Sequence, residues 1–151
     1  MVYGKIFAQL LLELREEGVF GGLMRTARHD ILVVEDDSTL RNVIGDLLGE
    51  EGMSATRAEN GQVGLEMLRA GARPCLVLLD LQMPLVDGLT FRRCQLEDPR
   101  IAGIPVVVMT GQPGEAQEAK RLGVALTMSK PIAPSRVLGV VERYCAHAKA
   151  S

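Results

Sequence analysis

A chain of 151 residues with 47% hydrophobic side chains has the material for one ordinary domain with a core of its own. A net charge of -2, no tryptophan and 3% aromatic residues leave neither the basic footprint of a nucleic-acid binder nor a stacking platform for single strands. No apolar run reaches membrane-spanning length, and Met1-Val2-Tyr3-Gly4-Lys5 is not followed by the features of a signal peptide, so a soluble, cytoplasmic protein without membrane contact is expected.

Residues 1–29 stand apart. Ile6, Phe7, Leu10, Leu11 and Leu14 share one stripe at helical spacing, Lys5, Glu13 and Arg15 lie on the other face, and Gly18 and Gly21-Gly22 end the pattern. An extra N-terminal amphipathic helix with a linker is expected. It either folds back on the domain or serves self-association, in which case a homodimer forms through residues 5–17.

Over residues 30–148, apolar runs alternate with stretches of helical period, the signature of a parallel sheet covered on both faces. The pattern predicts strands at about 30–34, 54–57, 75–79, 104–109 and 124–128 and helices near 38–50, 61–71, 88–97, 113–122 and 134–147. The fold class is therefore α/β, a doubly wound five-stranded parallel sheet. Ser38 is a plausible N-cap, Asn60-Gly61 a turn before a helix, Gly88 a backbone hinge and Gly123 a helix stop, while Pro113 and Pro134 suit first-turn positions. Ser54-Ala55-Thr56-Arg57 is the least apolar strand and belongs at an edge. Asp37 reads as a solvated acid or a help to the helix after it, and Asp87 as a loop former. Cys75, Cys94 and Cys145 lack paired spacing, which argues against a zinc site and a disulfide framework; reduced thiols are expected, with Cys75 packed in a strand.

Four of the strands run into polar side chains: Glu35-Asp36-Asp37, Asp80, Thr110-Gly111 and Lys130-Pro131. In parallel strands these ends meet on one edge of the sheet, where ligands of such folds collect. The acids gathered there repel one another unless a cation lies among them, so the cluster asks for a hard metal ion and a phosphate-like ligand.

Val33-Val34-Glu35-Asp36-Asp37-Ser38-Thr39-Leu40-Arg41, Leu79-Asp80-Leu81-Gln82-Met83-Pro84-Leu85-Val86-Asp87-Gly88, Val108-Met109-Thr110-Gly111 and Ser129-Lys130-Pro131 closely resemble the receiver domain of two-component response regulators, over roughly residues 30–147. The resemblance implies a flavodoxin-like (βα)5 fold with strand order 2-1-3-4-5. It implies that Asp80 is the phosphoacceptor, served by a histidine kinase or phosphotransfer protein, and that the output is contact with a downstream target protein. Mg²⁺ would be bound by Glu35, directly or through a water, by Asp36 and Asp80, and by the backbone carbonyl of Gln82. Lys130 would pair with Asp80 and later with a phosphoryl oxygen, Thr110 would donate its hydroxyl to the same group, and Gly111 would leave room for it. Pro131 would follow a cis peptide. Gln82 and Gln112 would flank the water that hydrolyses the product.

Two departures from the pattern stand out. Glu35 replaces a usual aspartate and lengthens the arm to the metal. Thr127 occupies a position often held by tyrosine or phenylalanine in that family, and it is too small to report a switch of the fourth-helix to fifth-strand face, the alternative surface for a homodimer. With the sequence ending at Ser151, a single-domain regulator is expected, one that promotes its own phosphorylation and dephosphorylation and is otherwise no enzyme. A receiver-like adaptor that ignores phosphorylation is the alternative, which Thr127 favours and the full set of phosphorylation residues opposes. A haloacid-dehalogenase-like phosphatase would need an acid where Gln82 stands, and a dinucleotide-binding domain would need a G-x-G-x-x-G after the first strand.

Overall fold

A computed structural model of the chain describes residues 30–145. Five strands, β1 (Asp30–Val34), β2 (Ser54–Ala58), β3 (Leu76–Asp80), β4 (Val106–Thr110) and β5 (Leu126–Ser129), alternate with α1 (Ser38–Glu50), α2 (Gly61–Arg69), α3 (Gly88–Glu97), α4 (Pro113–Arg121) and α5 (Pro134–Cys145). All strand pairs are parallel and the order is β2-β1-β3-β4-β5. The helix expected within residues 1–29 and the domain's last residues, 146–148, lie outside the described residues.

The central strands β1, β3 and β4 are rich in valine, isoleucine and leucine and are buried on both faces, so alternate residues feed two separate cores. Leu32, Val34, Val77, Leu79, Val106 and Val108 face Leu65 and Leu68 of α2, Phe91 of α3 and Ala119 of α4. Ile31, Val33, Leu76, Leu78, Val107 and Met109 face Ile44 and Leu48 of α1 and Val137, Val140 and Val141 of α5. The division of helices follows from right-handed crossovers. β1 to β2 travels one way across the sheet and the later crossovers travel the other, so α1 lies on one face and α2, α3 and α4 on the opposite one. As expected, β2 is an edge strand, with Ser54 and Arg57 exposed.

Strand boundaries shift by one or two residues from the sequence expectation. β3 takes in Asp80 because its backbone pairs with Met109, and β4 runs to Thr110, paired with Ser129. The N-cap of α1 is Asp37 rather than Ser38: its carboxylate accepts hydrogen bonds from the Thr39 and Leu40 amides at 2.9 and 3.2 Å. A carboxylate satisfies two orphan donors and also opposes the helix dipole, so it outcompetes the neighbouring hydroxyl. Asp87 likewise caps α3 through the Thr90 amide at 2.8 Å, a more definite role than loop former.

A buried polar clamp ties α3 to its surroundings. Arg92 donates to the carbonyls of Leu122 and Gly123, both at 3.0 Å, and to Gln95 Oε1 at 2.8 Å. Gln95, fully buried, donates in turn to the Ile101 and Ile104 carbonyls. These bonds fix the end of α4 and the loop into β4.

The expectation of three reduced thiols is overturned. Cys75 and Cys145 form a disulfide, with Cα atoms 5.4 Å apart, while Cys94 is free and half-buried. Cys75 also lies one residue ahead of β3 rather than within it. Their separation of 70 residues hid the pairing, because the start of β3 and the end of α5 meet only in the packed fold. Among the described residues no helix is long and apolar enough to cross a membrane.

Candidate functional site

Strand order reverses between β1 and β3, and the chain leaving these neighbouring strands opens a crevice at their carboxyl ends. Glu35 and Asp36 follow β1 directly, Asp80 ends β3, Thr110 ends β4 and Lys130 follows β5. Backbone bonds hold these ends together: the Glu35 amide donates to Ala58 O at 3.1 Å, Leu81 to Met109 O at 3.3 Å and Lys130 to Thr110 O at 2.9 Å. The start of α3 packs on the same edge, where a Cβ on Gly88 would stand 2.5 Å from the Asp80 carbonyl oxygen. Only glycine allows that approach.

Lys130 Nζ lies 3.0 Å from Glu35 Oε1 and 3.2 Å from Asp80 Oδ1, and the Gln82 amide donates to Asp80 Oδ1 at 3.2 Å. The Lys130–Asp80 pair was expected; the closer contact to Glu35 is new, and the longer arm of glutamate accounts for it. Glu35, Asp36 and Asp80 each offer an oxygen, and these atoms lie within 4.8 Å of one another. Glu35 and Asp80 are buried, while Asp36 and the Gln82 side chain are exposed. The Lys130–Pro131 peptide is cis. A Cβ on Gly111 would meet no atom within 4 Å, so the space beside Thr110 is open.

Burial pushes the Glu35 carboxyl up to about 8, helped by the neighbouring Asp80 carboxylate and opposed by Lys130. Burial alone would pull the Lys130 ammonium down, but the Glu35 hydrogen bond and the charges of Asp80 and Glu35 outweigh it and hold Lys130 above its ordinary value. Glu35 Oε2 is buried without a hydrogen-bond partner. An orphaned carboxylate oxygen beside two further carboxylates suits a small cation that takes oxygen ligands, as Mg²⁺ does.

Thr110 is brought to the same edge, yet its hydroxyl is engaged elsewhere. Its Oγ1 accepts from the Gln112 amide at 3.0 Å and lies 3.0 Å from Glu115 Oε2 in the first turn of α4. Arg41, one turn into α1, donates to the carbonyls of Glu35 and Asp36 at 2.8 and 3.3 Å and so anchors the acidic loop. Sequence reasoning assigned no role to Glu115 or Arg41. Neither position carries a local signal, since each acts on a residue five or six places earlier through loop geometry.

The model for the response regulator receiver domain matches residues 31–142. The polar-differentiation response regulator DivK of Brucella anthropi is 29% identical over 116 residues, covering 76% of this chain and 94% of that protein. An uncharacterised 14.6 kDa protein of Leptolyngbya boryana is 32% identical, over 79% of this chain and 92% of its own length. A solved response regulator receiver protein from Pseudomonas putida superposes with a TM-score of 0.72 at 27% identity, covering 77% of this chain and 97% of that one. With five parallel strands in the order 2-1-3-4-5 and the acids at their switch point, the chain belongs to the response regulator receiver family.

Proposed function

We propose that Asp80 accepts a phosphoryl group from the phosphohistidine of a histidine kinase or phosphotransfer protein, and that the modified surface signals by contact with a downstream target protein. The reading assigns residues 30–148 to the receiver and its site of action to the cytoplasm. The observation that carries it is the setting of Asp80: buried at the switch point, with an ammonium at 3.2 Å and two further acids beside it.

Glu35, Asp36, Asp80 and the backbone carbonyl of Gln82 would hold Mg²⁺. When bound, the ion neutralises charge between the carboxylates and the incoming phosphoryl oxygens. The residues of the chain do the rest. Lys130 and the Gln82 amide both engage Asp80 Oδ1, which leaves Oδ2 to form the bond to phosphorus. As that bond forms, the phosphorus–nitrogen bond of the donor breaks, its electron pair stays on the imidazole nitrogen, and that nitrogen takes up a proton. Lys130 moves from the carboxylates to a phosphoryl oxygen, and Thr110 supplies a hydroxyl to another. The domain thus promotes its own modification without turning over an external substrate.

Incubation with radiolabelled acetyl phosphate and Mg²⁺ tests the assignment. The wild type is expected to become labelled and Asp80→Asn to stay unlabelled. Equal labelling of the two would refute the acceptor role.

A further inference from the structure

The hydroxyl of Thr110 has a single proton. Because its oxygen already accepts from the Gln112 amide, that proton goes to the Glu115 carboxylate, which has none of its own to give when ionised. Thr110 is buried and Glu115 half-buried, so the bond is partly shielded from competing water. A hydroxyl held in this way is unavailable to a phosphoryl oxygen on Asp80 until it turns away from Glu115.

We propose that Glu115 is a positioning residue that latches the Thr110 hydroxyl in the unphosphorylated protein and sets how readily the domain passes to its phosphorylated form. This rests on the reading of Asp80 as the phosphoacceptor. On modification the Thr110 hydrogen bond passes from one anion, the Glu115 carboxylate, to another, the phosphoryl oxygen. The two compete for one proton, and the phosphoryl charge arriving nearby also repels Glu115. The latch therefore favours the unmodified state, and removing it shifts the balance toward the modified one. Glu115 does this from the first turn of α4, so the same exchange loosens the joint between β4 and that helix.

Beryllofluoride, a phosphoryl mimic that binds the acceptor aspartate with Mg²⁺, reads the balance by calorimetric titration. Glu115→Ala is expected to bind it about tenfold more tightly than wild type, the loss of roughly one charge-assisted hydrogen bond from the competing state. Glu115→Gln, which keeps an acceptor but not the charge, is expected to fall between. In a Thr110→Val background the Glu115→Ala change is expected to have a much smaller effect, because the competing proton is gone and only the charge repulsion remains. Mg²⁺ affinity without beryllofluoride is expected to be the same in wild type and Glu115→Ala. A wild type that binds the mimic no better than Asp80→Asn overturns the acceptor reading and the latch with it. Binding by wild type with equal or weaker binding by Glu115→Ala, or an undiminished effect in the Thr110→Val background, overturns the latch alone.

Discussion

Glu35→Gln is expected to make the metal-free protein more stable, by about 3 kcal/mol at pH 7, because it removes a carboxyl that the fold holds against ionisation. The carboxyl sits near 8 in the fold against an ordinary 4.5, with burial as the main cause. Between those values the folded protein keeps a proton that the unfolded chain releases. The stability associated with that proton is fully present below about 4.5 and is lost as pH rises toward 8. A glutamine has no such dependence, so the advantage of the variant should widen from pH 5 to pH 8. Added Mg²⁺ reverses the order: it stabilises the wild type by binding the native state and stabilises the variant less. Urea denaturation in chelator at the two pH values, repeated with Mg²⁺, checks both statements. An advantage that is flat with pH would contradict the burial account.

Opening the Cys75–Cys145 bridge is expected to lower stability by about 4 kcal/mol, the chain-entropy value for a loop of 70 residues. The bridge joins the entry to β3 with the end of α5, at the edge of the sheet away from the acids, so phosphorylation should survive its loss. Reductant should shift the denaturation midpoint of oxidised wild type and leave Cys75→Ser unmoved. An unshifted wild type would contradict the stabilising role. With the bridge opened, Cys75 Sγ has the Asp30 carbonyl at 3.4 Å as an acceptor.

The elements and their order were legible because strand and helix periods differ and because each buried strand is a near-continuous apolar run such as Leu76-Val77-Leu78-Leu79. The convergence of Glu35, Asp36, Asp80 and Lys130 was legible for a related reason: in a parallel sheet every strand presents the same end to the same edge. What escaped were contacts set by packing across the fold. The Cys75–Cys145 bridge joins distant parts of the sequence, the Lys130–Glu35 ion pair depends on how far a glutamate arm reaches, and the Arg92–Gln95 clamp sits where periodicity leaves a polar residue on a buried face. The choice of Asp37 over Ser38 as N-cap turned on one residue of register, which sequence pattern does not resolve.

Thr127 bears on how a phosphoryl group would be reported outward. It is half-buried in β5 beside Val108 of β4, and its side chain is small. The exchange of the Thr110 hydroxyl away from Glu115 supplies a different lever, acting on the first turn of α4 rather than through an aromatic side chain.

Asp80, and no neighbouring acid, is the proposed carrier of the phosphoryl group. Phosphorylation from a phosphohistidine donor with Mg²⁺, followed by borohydride reduction, converts an aspartyl phosphate to homoserine, which peptide mass spectrometry locates. The expected result is homoserine at position 80. Modification at Glu35 or Asp36 instead, or no modification while the donor loses its phosphoryl group to water at an unchanged rate, would contradict the account.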